Sequence, residues 1–405
     1  MNPGYKLTDV GVIPEDWDAV LLDSVAKRGS GHTPDKAHPE YWGGTIKWVS
    51  LQDSDRLDRL YIWDTAAKIT PAGIANSSAR MHPQGTVVLS RDAGVGKSAI
   101  MKDDMAVSQH FMAWTCGPSL NNHFLYYWLQ SNKFEFERIA MGNTIKTIGL
   151  PYFRQLVVPL PTKAEQEAIA EALSDADALV ESFEQLLTKK REVKQGAMQE
   201  LLTGTKRLPG FSGKWEMKQL GDVIERFVGG GTPGRSNQQY WGGGIPWVTV
   251  KDFATFNPHH SQETITTDGL QNSAAHLIPV GTLITSTRMA LGKAVVYEVD
   301  VAINQDLKAL FPKPGLSTQY LFLWFQYHGP SIEELGSGST VKGIALTDLK
   351  KIEVQLPSCP EQTGIAGILF DMDAEIAALE AKQTKARQLK QGMMQELLTG
   401  RIRLI

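Results

Sequence analysis

Cysteine is almost absent. Cys116 and Cys359 are the only two in 405 residues, which excludes a disulfide framework and a cysteine-rich zinc module. No stretch approaches the roughly 18–20 consecutive apolar residues of a membrane span. Positive charge is not in excess either. Lys and Arg number 41 against 44 Asp and Glu, a formal net charge of −3, so the compositional mark of a free-standing nucleic-acid binder is missing. The opening Met1-Asn2-Pro3-Gly4-Tyr5-Lys6 has no signal-peptide character. The expectation is a cytoplasmic protein without a membrane partner.

Catalytic signatures are also missing. Gly94-Val95-Gly96-Lys97-Ser98 resembles the end of a phosphate-binding loop, but Arg91 stands where that loop needs its first glycine. Asn2-Pro3-Gly4-Tyr5 is only a faint version of a methyltransferase Asn-Pro-Pro-Tyr, with no preceding strand and no cofactor loop. Glu192-Val193-Lys194 lies in a helical pattern with no upstream acidic partner, so it reads as a solvated face rather than a nuclease motif. His259-His260 is the one adjacent histidine pair, and no His/Cys/Asp set has zinc-ligand spacing. No Ser/His/Asp arrangement is legible. No catalytic residue and no metal ligand is expected.

What the chain does have is a copy of itself. Lys194-Gln195-Gly196-Ala197-Met198-Gln199-Glu200-Leu201-Leu202-Thr203-Gly204 returns 196 positions later as Lys390-Gln391-Gly392-Met393-Met394-Gln395-Glu396-Leu397-Leu398-Thr399-Gly400. The same displacement pairs Gly96-Lys97 with Gly292-Lys293, Gln109 with Gln305, Thr144 with Thr340, Lys146 with Lys342, and Glu165-Gln166 with Glu361-Gln362. Nearer the start the displacement is 199, matching Gly31, Thr33 and Pro34 to Gly230, Thr232 and Pro233, and Tyr41-Trp42-Gly43-Gly44 to Tyr240-Trp241-Gly242-Gly243. A unit this long is a duplicated domain, not a solenoid repeat.

Each copy ends in a helical pattern. Thr162 with Glu165, and Ser358 with Glu361, read as capping boxes, with Pro360 tolerated in the first turn. Apolar residues follow at heptad steps: Ile169, Leu173, Ala176, Val180, Phe183 and Leu187, then Ile365, Leu369, Met372, Ile376 and Leu379 in the second copy. The second seam fails at Gln383, where the first has Leu187. Gly204 and Gly400 stand at the expected C-caps. A helix over 163–203 is roughly 60 Å long at about 1.5 Å per residue. The bodies, 1–160 and 209–356, are rich in Gly, Pro and aromatics. Short β-type runs such as 46–49 and 86–89 alternate with helical pieces at 122–131 and 320–327, which predicts a mixed α/β globule, twice. The domain expectation is 1–160, 161–208, 209–356 and 357–405.

These marks in order resemble the specificity (S) subunits of type I restriction–modification enzymes. They are the opening Tyr5-Lys6 with Gly11-Val12-Ile13-Pro14-Glu15-Asp16-Trp17, and the Gly-x-Thr-Pro, Tyr-Trp-Gly-Gly and Trp-Val runs in both halves. Pro-x-x-x-Glu-Gln and Met-Gln-Glu-Leu-Leu-Thr-Gly bound each helix, and Arg207-Leu208-Pro209-Gly210-Phe211 leads to Trp215. The resemblance covers nearly the whole chain. It implies two tandem target recognition domains, each reading half of a split site in double-stranded DNA. It implies two long helices packed as an antiparallel coiled coil that acts as a ruler and docks two modification (M) subunits, with restriction (R) subunits joining them. The chain itself is then a non-catalytic subunit without cofactor, with S-adenosylmethionine, ATP and Mg²⁺ on the partners. A specificity-like subunit of another phage-defence system, or a self-contained methyltransferase or nuclease, are the alternative readings.

On that resemblance the two bodies read different half-sites. Residues shared by both copies are then fold elements or phosphate contacts: Thr33 and Thr232, Lys97 and Lys293, Gln109 and Gln305, Thr144 and Thr340, Lys146 and Lys342. Loop residues that differ are candidate base readers. His32, Asp35 and Lys36 face Gly231, Gly234 and Arg235; Gln52 faces Lys251; Arg91 and Asp92 face Thr287 and Arg288. Arg and Lys suit guanine edges and Gln suits adenine. Trp42, Trp48, Trp241 and Trp247 are expected in cores rather than as stacking platforms. Ile169, Leu173, Val180, Phe183, Leu187, Leu201, Leu202, Ile365, Leu369, Ile376, Leu379, Leu397 and Leu398 form the expected helix and partner interface.

Overall fold

The computed structural model describes residues 4–338 and 342–404, so Thr340 lies outside the described residues. The chain separates into two compact units. One comprises 1–185 together with 380–405, the other 186–379. Divisions at 160, 208 and 356 follow the repeat; the compact units instead cut through both long helices.

The first unit is built on two larger sheets, beside the two-stranded pairs Tyr5–Thr8 with Gly11–Pro14 and Asp18–Leu21 with Val157–Leu160. One is ordered Ala26–Ser30, Phe111–Cys116, Val87–Ser90, Ser98–Met101 and Tyr61–Ile62; the other Ala67–Ile69, Trp42–Val49, Met105–Val107 and Met81–His82. Val87–Ser90 and Ser98–Met101 are buried at every position, serines included. Trp42–Val49 pairs with Ala67–Ile69 through a bulge between Trp42 and Ile46, and the second unit repeats it between Trp241 and Ile245. The Gly-Gly pair makes the bulge possible. A Cβ on Gly44 would sit 2.4 Å from the Ile69 carbonyl oxygen, and one on Gly243 2.5 Å from that of Ile265.

The second unit carries the same plan with four strands in each larger sheet: Ile224–Gly229, Leu307–Pro312, Leu283–Ser286 and Ala294–Val296, then Glu263–Ile265, Trp241–Val248, Val301–Ile303 and Leu277–Ile278. The helix expected over 122–131 is Asn122–Ser131, its first turn capped by the Asn121 side chain, which accepts from the His123 and Phe124 N–H groups. Its counterpart, expected over 320–327, runs Thr318–Glu334 and continues through Pro330.

The long helices are Lys163–Leu202 and Cys359–Leu397. Within the first unit they run antiparallel: Asp177 pairs with Lys390 and Glu184 with Arg387, so one index rises as the other falls. Within the second unit Lys190–Glu375 and Lys194–Asp373 show the same sense. The seam residues divide their labour. Ile169, Leu173, Leu397 and Leu398 enter the core of the first unit beside Trp17, Trp114 and Phe124. Leu201, Leu202, Ile365 and Leu369 enter that of the second beside Leu220, Tyr320 and Trp324. Each such leucine, fully buried, is worth about 1.5–3 kcal/mol. Leu187, Ile376 and Leu379 are buried along the helices, with Val180 and Phe183 half-buried. Where Gln383 interrupts the pattern, Ala386 is buried instead.

The expected Thr162–Glu165 capping box is only half formed. The Glu165 N–H donates to the Thr162 hydroxyl at 3.3 Å, but the Glu165 carboxylate is buried and points elsewhere. It accepts from the Trp17 indole N–H at 2.9 Å and from Arg403. Glu361 does the same with Trp215 at 3.3 Å and Arg207 at 2.6 Å. Among the described residues no helix is long and apolar enough to cross a membrane.

Candidate nucleic-acid interface

The Gly-x-Thr-Pro loops are built identically in both units. Gly31 lies so close to the neighbouring strand that a Cβ would fall 1.5 Å from the Val107 carbonyl oxygen; for Gly230 the partner is Ile303 at 1.8 Å. The two tryptophans of the Tyr-Trp-Gly-Gly strand pack edge to face, 5.2 Å apart in the first unit and 5.0 Å in the second. Their indole N–H groups hold the loop by its carbonyls: Trp48 on His32 at 3.1 Å, Trp42 on Asp35 at 3.2 Å, Trp247 on Gly231 at 2.9 Å, Trp241 on Gly234 at 3.3 Å. Trp48 and Trp247 are buried, while Trp42 and Trp241 are half-buried edges of the clamp.

Thr33 and Thr232 then donate to the side-chain oxygens of Gln109 and Gln305, both at 2.6 Å. The shared Thr/Gln pair is therefore a strut of the loop. The tips differ. Lys36 is exposed at the mouth of a cleft of about 460 Å³ that Thr33, Trp42, Trp48, Gln52 and His110 also border. Arg235 instead lies 3.9 Å over the Trp241 ring and forks onto Glu263. That guanidinium holds the Glu263 carboxyl below its usual range.

Gln52 and Lys251 occupy matching exposed positions on short 3₁₀ turns. Asp53 and Asp252, both buried, fix these turns. Asp53 accepts from the Ser50 and Ala66 N–H groups at 2.9 and 2.7 Å, Asp252 from those of Thr249 and Gln262 at 2.7 Å each. Here too the frame is common and the displayed side chain is not.

The third loop, 91–97, is zipped to 141–148. Its counterpart, 287–293, is tied to 342–344. Arg91 turns inward: its Nε donates to the Ile148 carbonyl at 3.0 Å, and 18% of the side chain is exposed. Lys97 folds onto the Ser54 carbonyl at 2.9 Å, whereas Lys293 is exposed. Thr144, Lys146 and Lys342 are exposed, and Arg288 is 60% exposed. In the first unit a polar chain joins the loops: Thr33 to Gln109, Gln109 to His110 at 3.3 Å, His110 to Asp92 at 2.7 Å, and Asp92 to Thr147. His110 and Asp306 were not singled out in the sequence, although each directly follows the shared glutamine. Among the described residues no group of His, Cys, Asp and Glu is placed to hold a metal ion. The surface offers amides, hydroxyls, an imidazole and cations, which suits hydrogen bonding to polar edges and phosphates.

The matches to known proteins agree with this architecture. The family model described as the type I restriction modification DNA specificity domain matches twice, over residues 14–194 and 212–388. A type I restriction enzyme specificity subunit of Methanocaldococcus jannaschii, MjaX, is 25% identical over 99% of this chain and 97% of its own length. A second from that organism, MjaIX, is 28% identical over 61% of this chain, and the match spans 60% of that relative. In fold, the S subunit of a type I system from M. genitalium has a TM-score of 0.59 at 17% identity, covering 98% of this chain and 99% of that one. The HsdS subunit of Thermoanaerobacter tengcongensis has a TM-score of 0.51 at 20% identity, covering 96% and 98%. With both halves matched, the chain belongs to the type I restriction–modification DNA specificity domain family, the non-catalytic component of those systems.

Proposed function

We propose that each unit reads one half of a two-part DNA site, and that the helical elements dock M subunits and, through them, R subunits. The carrying observation is the repetition of one loop frame with different tips: Lys36 against Arg235, Gln52 against Lys251, Asp92 against Arg288. A conserved frame with exchanged tips is what two readers of different sequences require, since phosphate contacts position and base contacts specify. Arg91, Lys97 and Arg235 already serve internal partners, so Lys36, Gln52, Lys251 and Arg288 are the better readers. Lys146, Lys293 and Lys342 are the better phosphate contacts, together with Thr144. The formal charge of −3 fits a subunit whose partners supply most of the phosphate neutralisation. S-adenosylmethionine, ATP and Mg²⁺ belong on those partners, in the cytoplasm.

Genome-wide methylation mapping in the source cell, with and without the gene, tests this. A split motif that vanishes with the gene is expected. Replacing residues 1–160 by a relative's matching region should then alter one half of the motif. Alteration of both halves would refute separate readers.

A further inference from the structure

Asp92 and His110 in the first unit occupy the same two positions as Arg288 and Asp306 in the second, 196 residues on, with the acid and the base exchanged. We infer that this pair is a specificity position, and that in the second unit Arg288 takes a guanine. The inference rests on the DNA-reading proposal above and deepens it.

The backbone around the pair is the same in both units. Arg91 N donates to His110 O at 2.9 Å, and Thr287 N to Asp306 O at 2.8 Å. Ile148 N donates to Arg91 O at 2.9 Å, and Ile344 N to Thr287 O at 3.0 Å. The bridge from Asp92 to Thr147 is matched by one from Arg288 to Gly343. The next residue is left-handed in each case, Ala93 at φ 44° and Met289 at φ 71°. Neither is glycine, and such a conformation persists where the surroundings over-determine it. Here the fastening is a hydrogen bond from Ala93 N to Lys146 O at 3.3 Å and from Met289 N to Lys342 O at 3.0 Å.

On this common frame the side chains face different ways. Asp92 is consumed internally: it accepts from His110 Nδ1 at 2.7 Å and from the Thr147 hydroxyl, and 14% of it is exposed. Gly343 has no hydroxyl, and Asp306 replaces the histidine. The carboxylate therefore stands on the facing turn, 3.6 Å from an Arg288 guanidinium that is 60% exposed. That separation lies beyond a hydrogen bond. Asp306 can orient the guanidinium without occupying its fork, leaving two parallel N–H donors for the O6 and N7 acceptors of guanine. The first unit displays no such fork here, because Arg91 is bonded to Ile148 O. The two half-sites should thus differ at the base pair under this position.

The test recovers the tagged full-length chain with its partners from the source cell and selects duplexes from a randomised pool. Arg288→Ala should cut discrimination at one G·C pair of one half-site by about 5- to 150-fold, the equivalent of ~1–3 kcal/mol at this contact, and leave the other half-site intact. Arg288→Gln should move the preference there from guanine to adenine, an outcome that misfolding cannot imitate. Installing the second unit's pair in the first, Asp92→Arg with His110→Asp, should create a guanine preference in the other half-site. Arg288→Gln with every position unchanged would overturn the inference. Equal weakening on all duplexes after Arg288→Ala would do so too. A wild-type complex that selects no sequence would sink the DNA-reading proposal itself.

Discussion

Arg403 holds Glu165 across 238 positions of sequence, Nε to Oε1 at 2.5 Å and one terminal nitrogen to Oε2 at 2.9 Å. The same guanidinium forks onto Asp16 at 2.9 and 2.7 Å, which pulls the Asp16 carboxyl below its usual range. Glu165 is fully buried, so it depends on this partner and on Trp17.

Arg403→Ala should therefore destabilise the first unit by about 3 kcal/mol, the lower end for stripping one partner from a buried pair. Denaturant unfolding followed by tryptophan fluorescence would measure it, since Trp17 shares the carboxylate. Arg403→Ala in a Glu165→Gln background should cost less than the two losses added. Full additivity would show that the pair is not coupled.

The Lys390–Asp177 pair sits beneath Tyr127, whose hydroxyl donates to Asp177 at 2.8 Å. Lys390→Asp should destabilise the first unit by about 2 kcal/mol through like-charge repulsion, and adding Asp177→Lys should recover more than half. Its twin Lys194–Asp373, at 2.5 Å, should respond in the same way in the second unit. Absence of rescue in melting curves of both double variants would refute a charge role.

Gly31→Ala should cost more than about 2 kcal/mol, because backbone must move to admit the Cβ beside Val107. Gly234→Ala has nothing within 4 Å of the new atom and should be near neutral. Paired chemical denaturations decide this. If the two variants unfold at one midpoint, the close approach is not a constraint.

His82 is buried in the first unit where the second has Ile278. Burial pushes its imidazole below the ordinary value, so the fold keeps it neutral while the unfolded chain protonates. Stability should fall as pH drops from about 6.5 toward that lower value, because the unfolded chain then binds more protons. His82→Ile should flatten the dependence between pH 7.5 and 5.5. Identical slopes in the variant and the parent would assign the effect to other groups.

Much of this was legible in the sequence. The duplication, the two long helices and the structural use of the tryptophans follow from local patterns that read the same in any context. The roles of Glu165 and Glu361 were not legible, because a Thr-x-x-Glu start is also the pattern of a capping box, and the partner arginines lie far along the chain. Arg207 and Arg403 do match at the repeat spacing, a signal that was available. The seam misled in one respect. Leu201-Leu202 and Leu397-Leu398 continue a helical stripe, yet they fill globular cores, a distinction that periodicity cannot draw. Arg91 looked like a reader because only its exposure and its bond to Ile148 show that it faces inward.

The first unit needs two stretches far apart in the chain, since Leu397, Leu398 and Arg403 complete what residues 1–185 begin. During synthesis residues 1–185 must wait for 397–403. At 5–20 residues per second the intervening stretch takes roughly 10–40 s to translate. For that interval the nascent body carries open apolar sockets and an unpaired buried carboxylate, while 186–379 has all its own parts before residue 397 is made. The order of closure thus runs opposite to the order of emergence, and a ribosome that stalls before residue 397 leaves the earlier-made body incomplete.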